Sequence, residues 1–290
     1  MSDHDRRILI CTDLDRTLLP NGSQPETPAA RPRFRALAAR PEVSVAYVTG
    51  RHRELVHEAI QEYGIPEPDF LIGDVGTSIY HVNDDWKPRA DWGQHIASSW
   101  AGQGPEALAE LLQDVDGLLI QEPAKQGPYK LSYYTPEDWD RDALLPHIEQ
   151  RLQAQGIAAN LIWSVDEHTG TGLLDVLPAA ASKHSAIEFL MQQEGFAQAD
   201  TVCSGDSGND LAMLTGPLQA VLVANATAEV RADAASLAEA AGTQGLLYQA
   251  KGDFHGMNGY YAAGILEGVA HYLPETVSWW KDDDEVASLA

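Results

Sequence analysis

Five short apolar runs rich in β-branched residues punctuate the chain: ILICT (8–12), VSVAYV (43–48), DFLIG (69–73), TVCS (201–204) and AVLVA (220–224). Their hydrophobicity is continuous rather than alternating, which predicts strands buried on both faces, as in a parallel sheet covered by helices. Helix patterns with recognisable ends lie between them. Thr27-Pro28 offers an N-cap and a proline at the first helical position ahead of RPRFRALAAR. Ser182 is placed to cap KHSAIEFLMQQE, and Gly195 to stop it. Strand and helix patterns in alternation predict an α/β fold.

The gap between the third and fourth runs is too long for a loop. Within it, GPEALAELLQD and DRDALLPHIEQRLQAQ read as helices, and KLSYYT, NLIWSVD and LLDVLPA as strands. Helices and strands inserted between two halves of a sheet describe a second α/β domain, and 290 residues suffice for two. The expected division is a core of residues 1–84 and 178–290 and an inserted domain of residues 85–177. Pro88 and Pro178 mark expected hinges near 83–88 and 177–181.

Charge narrows the partners. A formal net charge of -24 argues against nucleic acid, whose phosphates need clustered Lys and Arg. An anionic substrate would have to be met by a metal and a few placed cations. No run approaches the roughly 20 apolar residues that span a bilayer, and MSDHDRRILI has no long apolar leader, so no membrane partner and a cytoplasmic location are expected. Cys11 and Cys203 sit inside apolar runs and read as small core residues in preference to a redox pair. The tail KDDDEVASLA reads as a solvated end.

The chemistry gathers where strands end. The first run leads into Asp13-Leu14-Asp15-Arg16-Thr17, and ligands of open α/β sheets collect at the carboxyl ends of strands. Two carboxylates facing a phosphate would repel it unless a cation lay between them, and Mg2+ suits carboxylates, waters and a phosphate oxygen. Read alone, the pair fits a solvated acidic loop equally well. The second run ends in Thr49-Gly50-Arg51, which fits a phosphate oxygen or an ordinary strand-to-helix turn. Lys183 opposes the macrodipole at a helix start, a placement that an anionic partner would explain. The fourth run leads into Gly205-Asp206-Ser207-Gly208-Asn209-Asp210, where Asp206 and Asp210 have the character of metal ligands. Each signal is weak alone; their order along one parallel sheet decides for a site.

These four motifs resemble the signature motifs of the haloacid-dehalogenase-like (HAD) phosphatases, and the insertion resembles the C2-type cap of the Cof-like branch. Within the branch the sucrose-phosphate phosphatases are the nearest likeness, through DVGTSIYH (74–81), YKLSYY (129–134), LLDVLPAAASKHSAIEFL (173–190), GDSGNDLAML (205–214) and AAGILEGVAHY (262–272). The resemblance implies a Rossmann-like parallel-sheet core with an inserted α/β cap domain. It further implies a Mg2+-dependent phosphatase acting through an aspartyl-phosphate, on a phosphorylated sugar and most specifically on sucrose 6-phosphate. Asp13 would be the nucleophile and Asp15 the acid and base. Thr49, Gly50, Arg51, Lys183 and Asn209 would surround the phosphoryl group. Mg2+ would be held by Asp13, the backbone carbonyl of Asp15, Asp206 and Asp210. Arg16 stands where many relatives carry glycine, and is expected to face solvent.

Sugar choice is expected in the inserted domain. Lys130 and Ser132 alternate with apolar neighbours on one strand and share a face, which points either at sugar hydroxyls or at water. Asp175, between Leu174 and Val176, stands out in the same way. Trp86, Trp92 and Trp100 could stack on a sugar, with core packing the expected role. Other substrates share every catalytic residue, among them glycosyl-3-phosphoglycerate and an amino-sugar phosphate, and so does a phosphomutase. A non-catalytic partner of a glycosyltransferase is the alternative from another class, and association with a sucrose-phosphate synthase is the expected partnership.

Overall fold

The computed structural model describes residues 6–165 and 170–280; the tail KDDDEVASLA and the last residue of NLIWSVD lie outside them. The strands, in chain order, are β1 (Ile8–Thr12), β2 (Val43–Val48), β3 (Phe70–Gly73), β4 (Ser78–His81), β5 (Lys87–Pro88) and β6 (Leu119–Ile120). They continue with β7 (Leu131–Thr135), β8 (Ala159–Val165), β9 (Gly172–Pro178), β10 (Thr201–Gly205), β11 (Gln219–Leu222) and β12 (Leu247–Gln249). The helices are α1 (Ala30–Ala38), α2 (Arg53–Tyr63), α3 (Ala90–Ala97), α4 (Pro105–Leu112), α5 (Arg141–Gln153), α6 (Lys183–Glu194), α7 (Leu211–Leu214), α8 (Ala228–Ala241) and α9 (Ala262–Tyr272).

Eight strands form one sheet in the order β12-β11-β10-β1-β2-β3-β4-β5. The pairs from β12 to β3 are parallel, and β4 and β5 close the edge antiparallel. Alternation along each strand sends side chains to opposite faces. Ile8, Ile10, Val45 and Tyr47 pack beneath α1, α2 and α9, while Leu9, Cys11, Ala46 and Val48 pack against α3 and α6. Both faces are therefore covered, as continuous hydrophobicity demands, and each of the Val, Leu and Ile side chains contributes roughly 1.5–3 kcal/mol on burial. Cys11 and Cys203 are register partners, buried and free. At Gly268 of α9 a Cβ would collide with Val221 of β11, which explains a glycine inside a helix.

Strand order reverses at β1: the chain runs outward through β2 and β3 on one side and through β10 and β11 on the other. The carboxyl ends of β1, β2 and β10 thus border one crevice. A second, four-stranded antiparallel sheet, β6-β7-β9-β8, carries α4 and α5 around Leu131, Tyr133, Leu174 and Val176. Between the two sheets, β5 pairs with β4, and Trp92 and Ile96 of α3 are buried against the large sheet. The boundary drawn at residue 85 therefore falls just before elements that pack on the core.

Two local expectations change. Ala29, not Thr27, is the residue ahead of α1, and the Thr27 hydroxyl instead accepts from the Asn258 amide at 3.1 Å. Strands β4, β5, β6 and β12 escaped the sequence reading because they are short and half exposed or fully exposed. Ser182 does cap α6, accepting from Ser185 N at 3.0 Å, and Gly195 ends it in the left-handed conformation. Among the described residues no helix is long and apolar enough to cross a membrane.

Candidate active site

The Asp13 amide donates to Ser204 O at 2.9 Å, extending the β1–β10 ladder by one residue and fixing Asp13 beside the end of β10. Lys183, the first residue of α6, reaches into the same volume. Its Nζ lies 2.7 Å from Asp13 Oδ1, 2.7 Å from Asp210 Oδ1 and 3.3 Å from Asn209 Oδ1. These carboxylates are what compensates its adverse position in the helix dipole. Asp210 Oδ2 accepts from the amides of Asp206 and Ser207, each at 3.1 Å, which folds the loop after β10 around its own carboxylate.

Asp13, Asp206 and Asp210 each offer a carboxylate oxygen within 4.8 Å of the others, and all three are buried. One ammonium faces three carboxylates in a volume of low dielectric. Burial, with Asp210 and Asp206 adding to it, holds the Asp13 carboxyl well above the usual range despite Lys183. Burial and Asp210 push Asp206 up to about 7. Burial works against the Lys183 ammonium, but Asp13 and Asp210 outweigh it and hold its proton above the ordinary range. Asp206 Oδ1 accepts from Thr17 Oγ1 at 3.1 Å, whereas Oδ2 is buried and accepts no hydrogen bond. Hard oxygen donors, surplus negative charge and an orphaned oxygen fit a divalent cation.

Asp15 stands apart from this cluster. Its carboxylate takes two parallel hydrogen bonds from Arg51, Nε to Oδ2 at 2.8 Å and Nη2 to Oδ1 at 2.6 Å, and one from Asn21 Nδ2 at 2.7 Å. Burial raises its pKa, but the Arg51 hydrogen bonds and charge outweigh that and leave it below the ordinary value. Arg51, expected at the phosphate, is thus placed on Asp15, because its planar fork matches a carboxylate. The Asp15 side chain is likewise not among the clustered carboxylates; the resemblance assigns only its backbone carbonyl to the metal. Thr49 is buried at the end of β2, its hydroxyl accepting from the Arg51 amide at 3.2 Å. Gly50 and Asn209 line the cavity described next.

A cavity of about 460 Å3 runs from Gly50, Asp74 and Asn209 on the large sheet to Gln121, Lys125, Lys130, Trp163 and Asp175 on the small one. Lys130 is buried, donating to Lys125 O at 3.2 Å with its Nζ 3.7 Å from Asp175 Oδ1. Ser132 donates to the same Asp175 oxygen. The Lys130–Ser132 face therefore turns inward rather than to water. Trp86, Trp92 and Trp100 are core residues; the tryptophan that lines the cavity is Trp163, which nothing in its sequence neighbourhood distinguished.

Arg16 corrects the expectation of a solvent-facing side chain. It holds a left-handed backbone (φ 61) and brings Nε to 3.4 Å from Asp206 Oδ2. Sequence reasoning also missed Gly76, whose φ of +95 lets the backbone pass against Ser182 and Lys183 at the head of α6.

The model of the family described as sucrose-6F-phosphate phosphohydrolase matches residues 6–273. A Nitrosococcus oceani protein described only as a HAD-like hydrolase is 52% identical over 97% of this chain and 76% of its own length. The mannosylfructose-phosphate phosphatase of Agrobacterium fabrum is 30% identical, covering 91% of this chain and 96% of that protein. Among solved structures, the sucrose-phosphatase of Synechocystis in complex with sucrose and phosphate superposes with a TM-score of 0.72 at 25% identity, covering 92% of this chain and 98% of that one. The chain belongs to the sucrose-6F-phosphate phosphohydrolase family and is a HAD-type sugar-phosphate phosphatase.

Proposed function

We propose that this phosphatase acts on a phosphorylated disaccharide, sucrose 6-phosphate before others, with Asp13 as its nucleophile. One observation carries the reading: a single cavity of about 460 Å3 joins Gly50 and Asn209, beside the Asp13–Lys183 pair, to the polar pair Lys130 and Asp175. That volume falls within the range of small-molecule sites, roughly 300–1,000 Å3, and Lys130 and Asp175 at its far end offer polar groups to a second sugar ring.

Asp13 attacks phosphorus as the bond to the sugar oxygen breaks, forming an aspartyl-phosphate. Lys183, 2.7 Å from Asp13 Oδ1, orients the nucleophile and favours its ionised form against the opposing effect of burial. Thr49, Gly50 and Asn209 hold the phosphoryl oxygens, together with Lys183. Asp15 gives its proton to the departing sugar oxygen and then takes one from the water that hydrolyses the intermediate. In the grip of Arg51 it is poised as that base; protonation for the first step requires the carboxyl to leave the grip. Asp13, Asp206, Asp210 and the Asp15 carbonyl would hold Mg2+, which would supply charge neutralisation for the transferring phosphoryl group.

The inserted domain beyond α3 acts as a lid, its hinges after α3, which packs on the core with β5, and near Pro178, so that the sugar is read as the site closes. Association with the synthase that makes the phosphorylated disaccharide, in the cytoplasm, belongs to the same proposal. A second reading, mannosylfructose phosphate, is favoured by the similarity to the Agrobacterium phosphatase over nearly its whole length. The deciding experiment is kcat/KM for phosphate release from sucrose 6-phosphate, mannosylfructose phosphate, a glycosyl-3-phosphoglycerate, glucose 6-phosphate and fructose 6-phosphate. Sucrose 6-phosphate is expected to lead the monosaccharide phosphates by at least about tenfold, or roughly 1.4 kcal/mol. Equal turnover of the monosaccharide phosphates would overturn the disaccharide reading.

A further inference from the structure

We infer that Arg16 is a tethered cation that shares Asp206 with the divalent metal and weakens the metal's hold on the site. The inference rests on reading Asp13, Asp206 and Asp210 as the metal centre.

The backbone is the first observation. Arg16 adopts φ 61, a conformation that glycine enters freely and that a long side chain enters at a cost. Two asparagines hold it there. The Arg16 amide donates to Asn21 Oδ1 at 2.8 Å, and Asn225 Nδ2 donates to Arg16 O at 2.6 Å. Asn225 is itself buried, and its Oδ1 accepts from the Tyr261 amide at 3.0 Å. A strained conformation fixed from both sides, at a position glycine would occupy without penalty, directs attention to what the side chain does.

Where that side chain goes is the second observation. It is only 29% exposed, and its Nε lies 3.4 Å from Asp206 Oδ2. That oxygen is buried and accepts no hydrogen bond, while its twin is taken by Thr17. The guanidinium therefore sets a positive charge beside the one carboxylate oxygen of Asp206 left open for a metal.

Charge supplies the direction. With one ammonium against three buried carboxylates, the guanidinium offsets part of the surplus whenever metal is absent. A metal arriving at Asp206 meets a like charge only a few ångströms away and must displace it or share with it. Either way the metal-free state is stabilised relative to the loaded one, and affinity falls.

The test is calorimetric titration of Mg2+ into the full chain after stripping with EDTA, for wild type, Arg16→Gln, Arg16→Lys and Asp206→Asn. Glutamine and lysine keep the backbone demand of a side chain at this position, so charge is the variable between them. Arg16→Gln is expected to bind Mg2+ at least about threefold more tightly than wild type, with Arg16→Lys close to wild type. Thermal unfolding gives a second readout: in EDTA, Arg16→Gln should melt below wild type, and saturating Mg2+ should close that gap. Unchanged or weaker Mg2+ binding by Arg16→Gln overturns the inference. Wild-type Mg2+ binding by Asp206→Asn would overturn the metal centre itself, and the role of Arg16 with it.

Discussion

Arg51 grips Asp15 through a two-pronged pair, Nε to Oδ2 at 2.8 Å and Nη2 to Oδ1 at 2.6 Å, and so orients a carboxylate that stands outside the buried aspartate cluster. Without that fork Asp15 has only Asn21 to fix its rotamer. Arg51→Ala is expected to lower kcat by about tenfold to a hundredfold, the scale of losses caused by misplacing a reacting group. Arg51→Lys should recover only part, because an ammonium cannot make the parallel pair. Steady-state phosphate release checks both.

Asp13→Asn should cut turnover by at least about a thousandfold, since an amide does not attack phosphorus. The fold should survive, because Lys183 keeps Asp210 as its 2.7 Å partner. Circular dichroism beside the activity assay separates the two effects, and substantial phosphate release by the variant would refute the nucleophile.

Removing divalent cations should abolish activity, and Mg2+ should restore it. Three buried carboxylates against the Lys183 ammonium and the partly exposed Arg16 guanidinium form a site of hard oxygen donors suited to a divalent cation. Ca2+ is expected to restore little, as its larger and looser shell misplaces the nucleophile. Full activity after chelation would contradict the assignment.

Lys130→Ala tests the sugar-facing end of the cavity. The side chain is buried, 3.7 Å from Asp175 Oδ1, and far along the chain from every core motif. The variant should narrow the preference for sucrose 6-phosphate over p-nitrophenyl phosphate by about tenfold, while hydrolysis of the small ester is spared. Equal losses on both substrates would assign Lys130 to structure instead.

Gly76→Ala should destabilise the protein by at least about 2 kcal/mol, combining a left-handed φ with overpacking. A Cβ at Gly76 would overlap the Ser182 carbonyl group and come within 2.7 Å of Lys183 N. Because that contact lies at the head of α6, from which Lys183 enters the site, activity should fall beyond what the loss of folded protein explains. Urea unfolding followed by assay of the folded fraction measures the two losses separately.

Sequence alone determined the parts whose physics is local or periodic. Unbroken apolar runs at 8–12 and 43–48 became β1 and β2 with the same bounds, because a strand buried on both faces has no polar position to hide. Ser182 and Gly195 bounded α6 as their capping chemistry requires. Asp13, Lys183, Asp206 and Asp210 were legible as one set, since a parallel sheet carries strand ends and helix starts to a common edge.

Tertiary structure decided everything that depends on which side chain meets which. The Thr27 hydroxyl went to Asn258 rather than to its own helix, because a partner 231 positions away competed with the local cap. Arg51 went to Asp15, Arg16 to Asp206, and Trp163 rather than the buried tryptophans reached the cavity. Gly76 marks the limit most sharply. Its place in the sequence shows only a residue able to turn, while the reason for it is the backbone of Ser182 and Lys183, more than 100 residues on, occupying the space where a Cβ would be. Periodicity and capping are properties of neighbours along the chain, whereas close approach and charge pairing are properties of neighbours in space.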